Sequence, residues 1–344
     1  MSIAPTQSPE IAVVAIGRNE GERLRACLRS VVDGSRLVVY VDSGSTDGSV
    51  ELAKSMGAEV VQLDLSIPFT AARARNAGFK RVLELRPHTE FVQFIDGDCE
   101  VREDWFTKAI AAMASEPRRA VVCGRRRERF PEASLYNTLC DIEWDTPVGP
   151  ALACGGDALV RASALKEIGG YRDDVIAGEE PEMCVRLRQA GWTIERIDAE
   201  MTLHDAAMTR FGQWWRRTVR SGHAYAEGAH LHGAPPERHW VKDVRRIVFY
   251  AAVLPIVAIA LAWPTWGGSL ALFLLYPLSA WRASRAARLR GRTPREARLY
   301  AFFVTLGKFP QMVGILKFHW RRLSGSKPAL IEYKTAAAHT PGQA

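Results

Sequence analysis

Phe91-Val92-Gln93-Phe94-Ile95-Asp96-Gly97-Asp98-Cys99 is the stretch on which the fold turns. Its first five residues carry no charge and are rich in β-branched and aromatic types, the composition of a buried strand. The strand runs straight into two carboxylates separated by one glycine. Gly97 is expected to let the backbone turn sharply so that both acids point at one spot. In an open α/β sheet, ligands bind beyond the carboxyl ends of the strands. Two hard oxygen ligands at such an edge suit Mg²⁺ or Mn²⁺, and the ion in turn suits a diphosphate. Asp-x-Asp also occurs in ordinary turns, so the neighbouring segments have to decide between the two.

Upstream, Ile11–Ile16, Leu37–Val41 and Glu59–Leu63 are short apolar runs of strand type. Between them, Leu24, Cys27, Leu28, Val31 and Val32 recur at helical spacing, and 69–85 reads as a further helix. In the turn Ser43-Gly44-Ser45-Thr46-Asp47-Gly48, Ser45 or Thr46 is the expected cap of a helix through Met56. Strand and helix alternating at this spacing mean a parallel sheet with right-handed crossovers, a nucleotide-binding half of the doubly wound kind.

The chain of 344 residues carries a formal net charge of +8, and its carboxylates concentrate before about Glu200, which leaves the later arginines in excess. Such a balance suits nucleic acid, a membrane surface or a phosphate-bearing substrate. No zinc-finger spacing, RNA-binding aromatic motif or basic zipper is present, so no nucleic-acid partner is expected. Six cysteines without a C-x-x-C pair read as reduced, buried, cytosolic thiols. The polar, proline-containing start lacks the basic-then-apolar run of a signal peptide, and residues 1–9 are expected to be disordered.

Four segments then fall in a telling order within about ninety residues: Arg18-Asn19-Glu20, Val41-Asp42-Ser43-Gly44-Ser45-Thr46-Asp47-Gly48-Ser49, Ala74-Arg75-Asn76-Ala77-Gly78 and Asp96-Gly97-Asp98. Together they resemble the inverting family 2 glycosyltransferases of GT-A fold, in their membrane-anchored bacterial form. The resemblance implies a catalytic domain over 10–230 that binds a nucleotide-diphospho-sugar through Asn19, Glu20, Asp42, Arg75, Asp96 and Asp98. Asp42 would contact the base, although Ser43 stands where a second acid is usual. A divalent cation, Mg or Mn, would sit on Asp96 and Asp98. Cys154-Gly155-Gly156-Asp157 looks like the family's acceptor-side glycine-rich segment, which gives Gly156 and Asp157 acceptor contacts; Asn is more usual at the latter.

Gly178-Glu179-Glu180-Pro181-Glu182 opens a helix, with acids at its N-terminal end and proline in its first turn. Taken alone, this is a well-started helix. Inverting transfer, however, needs a base to remove the acceptor hydroxyl proton opposite the departing diphosphate. The family carries Glu-Asp at this spot, which makes Glu180 the base, Glu179 its catalytic neighbour and Glu182 an acceptor contact. Glu in place of Asp moves the base by about 1.5 Å, and the choice between Glu179 and Glu180 stays open. Beyond a strand over 192–197, His204 matches the third metal ligand of related GT-A enzymes, beside Asp96 and Asp98. Gln213, Trp214 and Arg216 resemble the acceptor-binding Q-x-x-R-W motif of processive members. Arg217 replaces the final Trp and argues against a processive polymerase. The same segment also reads as an amphipathic helix at a membrane interface.

No charged residue lies between Arg246 and Arg282. Pro264-Thr265-Trp266-Gly267-Gly268 breaks the run into a hairpin, with transmembrane limbs at 247–263 and 268–281 inside a membrane-associated region, 231–323. Arginines at both ends place those ends in the cytosol. Residues 299–318 span the bilayer or lie in its interface, and 324–344 form a flexible tail. The expectation is therefore an inner-membrane enzyme with a cytoplasmic catalytic domain. It would move a sugar to a lipid-linked (polyprenyl-diphosphate) or glycan acceptor in envelope or exopolysaccharide synthesis. A polyprenyl-phosphate sugar synthase and a non-catalytic GT-A partner of a polysaccharide synthase are the alternatives.

Overall fold

A computed structural model describes residues 9–325. The N-terminus and tail expected over 1–9 and 324–344 lie outside the described residues, apart from residues 9, 324 and 325. Contacts divide the chain into two compact units, one running to Arg129 and including Glu143–Ala206, the other made of Phe130–Ile142 and the chain from Ala207 on.

The first unit is a mixed sheet with helices against it. Its strands are β1 (Ile11–Gly17), β2 (Leu37–Asp42), β3 (Glu59–Gln62), β4 (Phe91–Asp96), β5 (Cys99–Val101), β6 (Arg119–Glu128), β7 (Gly149–Pro150), β8 (Ala158–Arg161) and β9 (Thr193–His204). Their order is β3-β2-β1-β4-β8-β6-β9-β5, with β7 beside β9. The expected parallel half is present as β3, β2, β1 and β4. Its register sets Asp42 opposite Gly17 and Asp96 opposite Ile16, so both acids emerge at one carboxyl edge. β4 is buried along Phe91–Ile95, and Gln93 fits there because its side-chain oxygen accepts from Trp105 Nε1 at 2.7 Å.

The helix Ala71–Leu85 starts at Thr70, whose hydroxyl accepts from Arg73 N. Gly78 lets it lie tight on the sheet, because a Cβ there would be 2.4 Å from Val14 Cγ1. One turn earlier, Arg75 is thereby set over the carboxyl edge. Two local expectations change. The helix Ser49–Ser55 begins after left-handed Gly48, with Asp47 rather than Ser45 or Thr46 accepting from Ser49 N at 3.1 Å. Gly97 is not left-handed; glycine fits because a Cβ would stand 3.1 Å from Ile16 O.

The second unit is helical. Helices Phe211–His232 and Lys308–Ser324 cross so closely that a Cβ on Gly222 would lie 2.0 Å from Gln311 O, and one on Gly314 would lie 2.1 Å from Val219 O. The segmentation thus differs from the expected break at 230, because Phe211–His232 packs with the later helices. The chain folds back on itself across residues 264–268. Helix Val241–Val248 continues through a π turn, Phe249–Val253, into Leu254–Ala260, and the chain returns through Gly268–Leu274 and Leu275–Leu289. Tyr276 OH donates to Tyr250 O at 2.5 Å, and Ser269 Oγ donates to Ala258 O at 2.7 Å, which fixes the limbs in register. Among the described residues, the run Pro294–Ser324 is the one long and apolar enough to cross a membrane, and it contains the segment 299–318.

Candidate active site

Four elements converge at the carboxyl edge of the sheet. Arg75 is 2% exposed and forks between them, with Nη1 on Glu179 at 2.9 Å and Glu180 at 3.0 Å, and Nη2 on Asp96 at 3.0 Å. A planar guanidinium with fixed donors can bridge three carboxylates in this way, where a single ammonium could not. Arg126 grips the other oxygen of Asp96 at 3.0 Å, and its Nε lies 3.4 Å from Asp157 Oδ2. Asp157 precedes β8, and its Oδ1 accepts from Asp96 N while Oδ2 accepts from Thr202 Oγ1 at 2.7 Å. Gly156 has no room for a side chain, since a Cβ would stand 2.7 Å from Arg75 Nη2 and 3.0 Å from Asp96 Oδ2.

Asp98 takes a separate partner. β5 pairs antiparallel with β9, Cys99 opposite His204, and this brings Asp98 Oδ2 to 3.3 Å from His204 Nε2. On its other side, His204 Nδ1 lies 3.9 Å from Glu128 Oε2, and Trp144 packs nearly perpendicular to the ring with centroids 4.6 Å apart. Asp98, Cys99 and His204 form one group able to hold a cation, and Asp96, Cys99 and Asp157 another.

Charge at this edge is unevenly placed. Burial first, and Glu179 second, push Glu180 up to about 7 against the pull of Arg75. Asp96 goes the other way: burial opposes its charge, but Arg75 and Arg126 outweigh it and hold the acid below the ordinary carboxylate range. Two acids on one guanidinium therefore hold their protons differently, the pattern that separates acid–base roles in an active site.

Residues 12–147 match the family described as Glycosyl transferase family 2. The chain carries a family 2 glycosyltransferase domain. Among curated relatives, it is 22% identical over 227 residues to the glycosyltransferase AglE of Haloferax volcanii, covering 62% of this chain and 72% of AglE. It is 26% identical over 292 residues to the pre-mycofactocin glycosyltransferase of Mycobacterium tuberculosis, covering 81% of this chain but 58% of that protein. Among solved structures, mannosyltransferase PcManGT from Pyrobaculum calidifontis, in complex with GDP-Man and Mn²⁺, superimposes with a TM-score of 0.62. The identity is 20%, and the match covers 92% of this chain and 89% of that one. The sheet is thus the GT-A fold.

Within the sheet unit, Arg75, Asp96, Gly156, Asp157, Glu179 and Glu180 come together, and Asp98 meets His204. The expected trio of metal ligands is split, because Asp96 groups with Asp157 while Asp98 groups with His204. Asp98 Oδ2 and His204 Nε2 nevertheless fit a divalent ion as neighbours, since two ligands at about 2.1 Å and a right angle stand roughly 3 Å apart. Asn19, Glu20 and Asp42 shape the turns that follow β1 and β2. Asp42 is buried, with Oδ2 accepting from Gly44 N and Ser45 N and Oδ1 from Tyr40 OH, so most of its hydrogen-bonding capacity serves the loop rather than a base. Asn19 accepts from Thr46 N at 2.7 Å, and Glu20 pairs with Arg23 at 2.7 Å.

Three residues expected on the acceptor side are engaged within the protein itself. Glu182 is buried and held bidentate by Arg186 Nε and Nη2 at 2.8–3.0 Å, a helix-internal pair. In the second unit, Gln213 caps its own helix by accepting from Thr209 N and Arg210 N. Trp214 is 2% exposed and sits edge-on to Phe303 at 4.8 Å, which leaves no free indole face for a sugar. Arg216 lies on the same helix, Phe211–His232. Sequence reasoning missed Arg126, Glu128, Thr202 and Trp144. The usable signal was Ala120-Val121-Val122-Cys123, an apolar strand-like run leading into Arg125-Arg126-Arg127-Glu128. All six cysteines are buried and free, as expected.

Proposed function

We propose that this chain is an inverting, metal-dependent glycosyltransferase. It would move a sugar from a nucleotide-diphospho-sugar to a membrane-associated acceptor, a polyprenyl-diphosphate-linked one above all, in envelope or exopolysaccharide assembly. The observation that carries the proposal is Glu180, a carboxylate lifted to about 7 in the first turn of its helix, beside a buried Arg75 that also holds Asp96. A base poised near neutral pH can take the acceptor hydroxyl proton and still be ionised often enough to act. Arg75 and Gly156 fix where Glu180 and Asp96 stand, while Arg126 and Asp157 fix the far side of Asp96. Asp98 and His204 would hold Mg²⁺ or Mn²⁺, with Asp96 and Asp157 adjacent, and the ion when bound supplies positive charge to the leaving diphosphate. PcManGT was solved with a nucleotide sugar and Mn²⁺, which supports this class of donor and cofactor. The apolar run Pro294–Ser324 supports association with a membrane, for which we propose the inner membrane, and the arginines at both ends of the uncharged run 247–281 support a cytoplasmic side for those ends.

Purified protein in detergent would be offered UDP-, GDP- and TDP-sugars with Mn²⁺ or Mg²⁺ and a lipid-extract acceptor, and released nucleotide diphosphate measured. Metal-dependent release from one donor, lost in Asp98→Ala and Glu180→Gln, is the expected outcome. Absence of both release and metal-dependent nucleotide binding in folded protein would leave a non-catalytic partner. Full activity in Glu180→Gln would point to a polyprenyl-phosphate sugar synthase, whose phosphate acceptor needs no base.

A further inference from the structure

At the base of the hairpin in the second unit lies a cavity of about 560 Å³ lined by Arg238, Val241, Lys242, Arg245, Arg246 and Phe249. Lys242, Arg245, Arg246 and Phe249 recur at helical spacing, so one face of Val241–Val248 supplies most of the wall. The four cationic groups form no ion pair or side-chain hydrogen bond among the described residues, and each is exposed. The nearby carboxylates are Glu237 and Asp243. Asp243 sits on the same helix, but the cavity wall itself holds four cations and no acid.

The same face changes character at Phe249. Beyond it, Val253 and Ile256 continue the stripe, each exposed, the last at 64%. The bond from Tyr276 to Tyr250 places the return limb in register here. On that limb, the apolar residues likewise give way to Trp281, Arg282 and Arg285, with Arg285 over the Trp281 ring at 5.9 Å. Both limbs thus switch from apolar to cationic near one level, as at the boundary between acyl chains and headgroups.

We infer that this cavity is the headgroup site of a lipid diphosphate, whose apolar chain runs along Phe249, Val253 and Ile256. Four cations without internal partners match a group carrying two or three negative charges better than the single charge of a common phospholipid. The inference rests on the membrane-acceptor reading above and deepens it by giving the acceptor's carrier a place.

The test uses the full chain in nanodiscs of zwitterionic lipid, titrated with a long-chain polyprenyl diphosphate. Parallel titrations use phosphatidylglycerol at matched charge and inorganic diphosphate, and native mass spectrometry reads retained ligand. Losing one cation weakens such binding roughly fivefold, so Lys242→Ser with Arg245→Ser is expected to weaken the lipid diphosphate by about 25-fold. Arg288→Ser with Arg290→Ser, outside the cavity, is expected to change it by less than about twofold. Arg238→Ser, in the loop before the helix, gives an independent loss should the double variant be unstable. Equal weakening by both pairs, or phosphatidylglycerol displacing the diphosphate at matched charge, would overturn the inference in favour of diffuse surface attraction. Binding of inorganic diphosphate as tight as the lipid's would also overturn it, because the apolar stripe would then contribute nothing. Lipid-diphosphate binding without donor turnover would uphold this site while removing the transferase function. Turnover without such binding would do the reverse.

Discussion

Replacing Arg75 by Met removes a single side chain of similar length and leaves three carboxylates facing one another. Asp96 keeps Arg126 at 3.0 Å, but Glu179 and Glu180 lose the guanidinium that holds them at 2.9 and 3.0 Å. Removing one partner of a buried ion pair costs about 3–5 kcal/mol, because an uncompensated charge stays buried. With two acids left unpaired, a loss of about 4 kcal/mol at about pH 8 is expected. The loss should shrink in acid. Glu180 in the folded protein binds its proton more tightly than the ordinary value of 4.5, with the group at about 7. Its proton-linked stability is therefore complete below the unfolded value and is lost as pH rises through about 7. Without Arg75, which pulls that value down, the window moves upward. The gap between variant and wild type then widens above neutrality by up to about 1.4 kcal/mol per pH unit. Hydrogen exchange of β1 and β4 in increasing urea, at about pH 5 and about pH 8, reads the unfolding free energy of the sheet unit. Arg75→Lys should fall between the two, since one ammonium cannot span the three acids. A loss below about 1 kcal/mol at both pH values, or an equal loss at both, would refute the claim that Arg75 neutralises this cluster.

Glu180→Gln should lower sugar transfer by about 10²–10⁴-fold while nucleotide binding persists, as checked by steady-state kinetics and calorimetry. In the wild type, kcat/KM should rise with pH through about 7 and then level off, because the base acts in its ionised form. Gly156→Ala pushes a methyl to within 2.7 Å of Arg75 and should cost about 1–3 kcal/mol in thermal unfolding and lower turnover; Gly155→Ala, with nothing within 4 Å, should do neither. His204→Ala should weaken Mn²⁺-dependent nucleotide binding by at least about tenfold in calorimetric titration, and Glu128→Gln, behind the imidazole, should weaken it by a lesser factor. Glu182→Gln should lose stability in urea unfolding without raising the acceptor KM, since its carboxylate is spent on Arg186.

Strands β1, β2 and β4 are legible because each is an apolar run ended by glycine or by an acid at a turn, and a parallel sheet leaves both faces of its inner strands buried. The acids at their ends are legible for the same reason, since a carboxylate straight after an apolar strand has only the sheet edge to occupy. What they bind is not. Asp96 and Asp98 stand two residues apart, yet the chain leaves β4 at Gly97 and enters β5, whose partner is β9. The first acid therefore meets two arginines, and the second meets a histidine 106 positions later. β6 is harder still, because its second half, Arg125–Glu128, is charged at every position and looks like a solvated loop. Pairing with β9 turns Arg126 inward, a consequence of register that no local pattern carries.

Glu182 is the opposite case. Its pairing with Arg186 at i,i+4 is a local regularity of any helix, but likeness to known sequences gave it an acceptor role instead. Glu180, two residues earlier, has no such partner on its own helix. Its proton is governed by burial, by Glu179 and by an arginine 105 positions upstream. The physical difference between a structural acid and a candidate base here is whether the compensating cation is local and unshared, as for Glu182, or distant and divided among three acids, as for Glu180. A shared cation compensates only in part, so burial and the charge of Glu179 prevail and keep the Glu180 proton exchangeable near neutral pH.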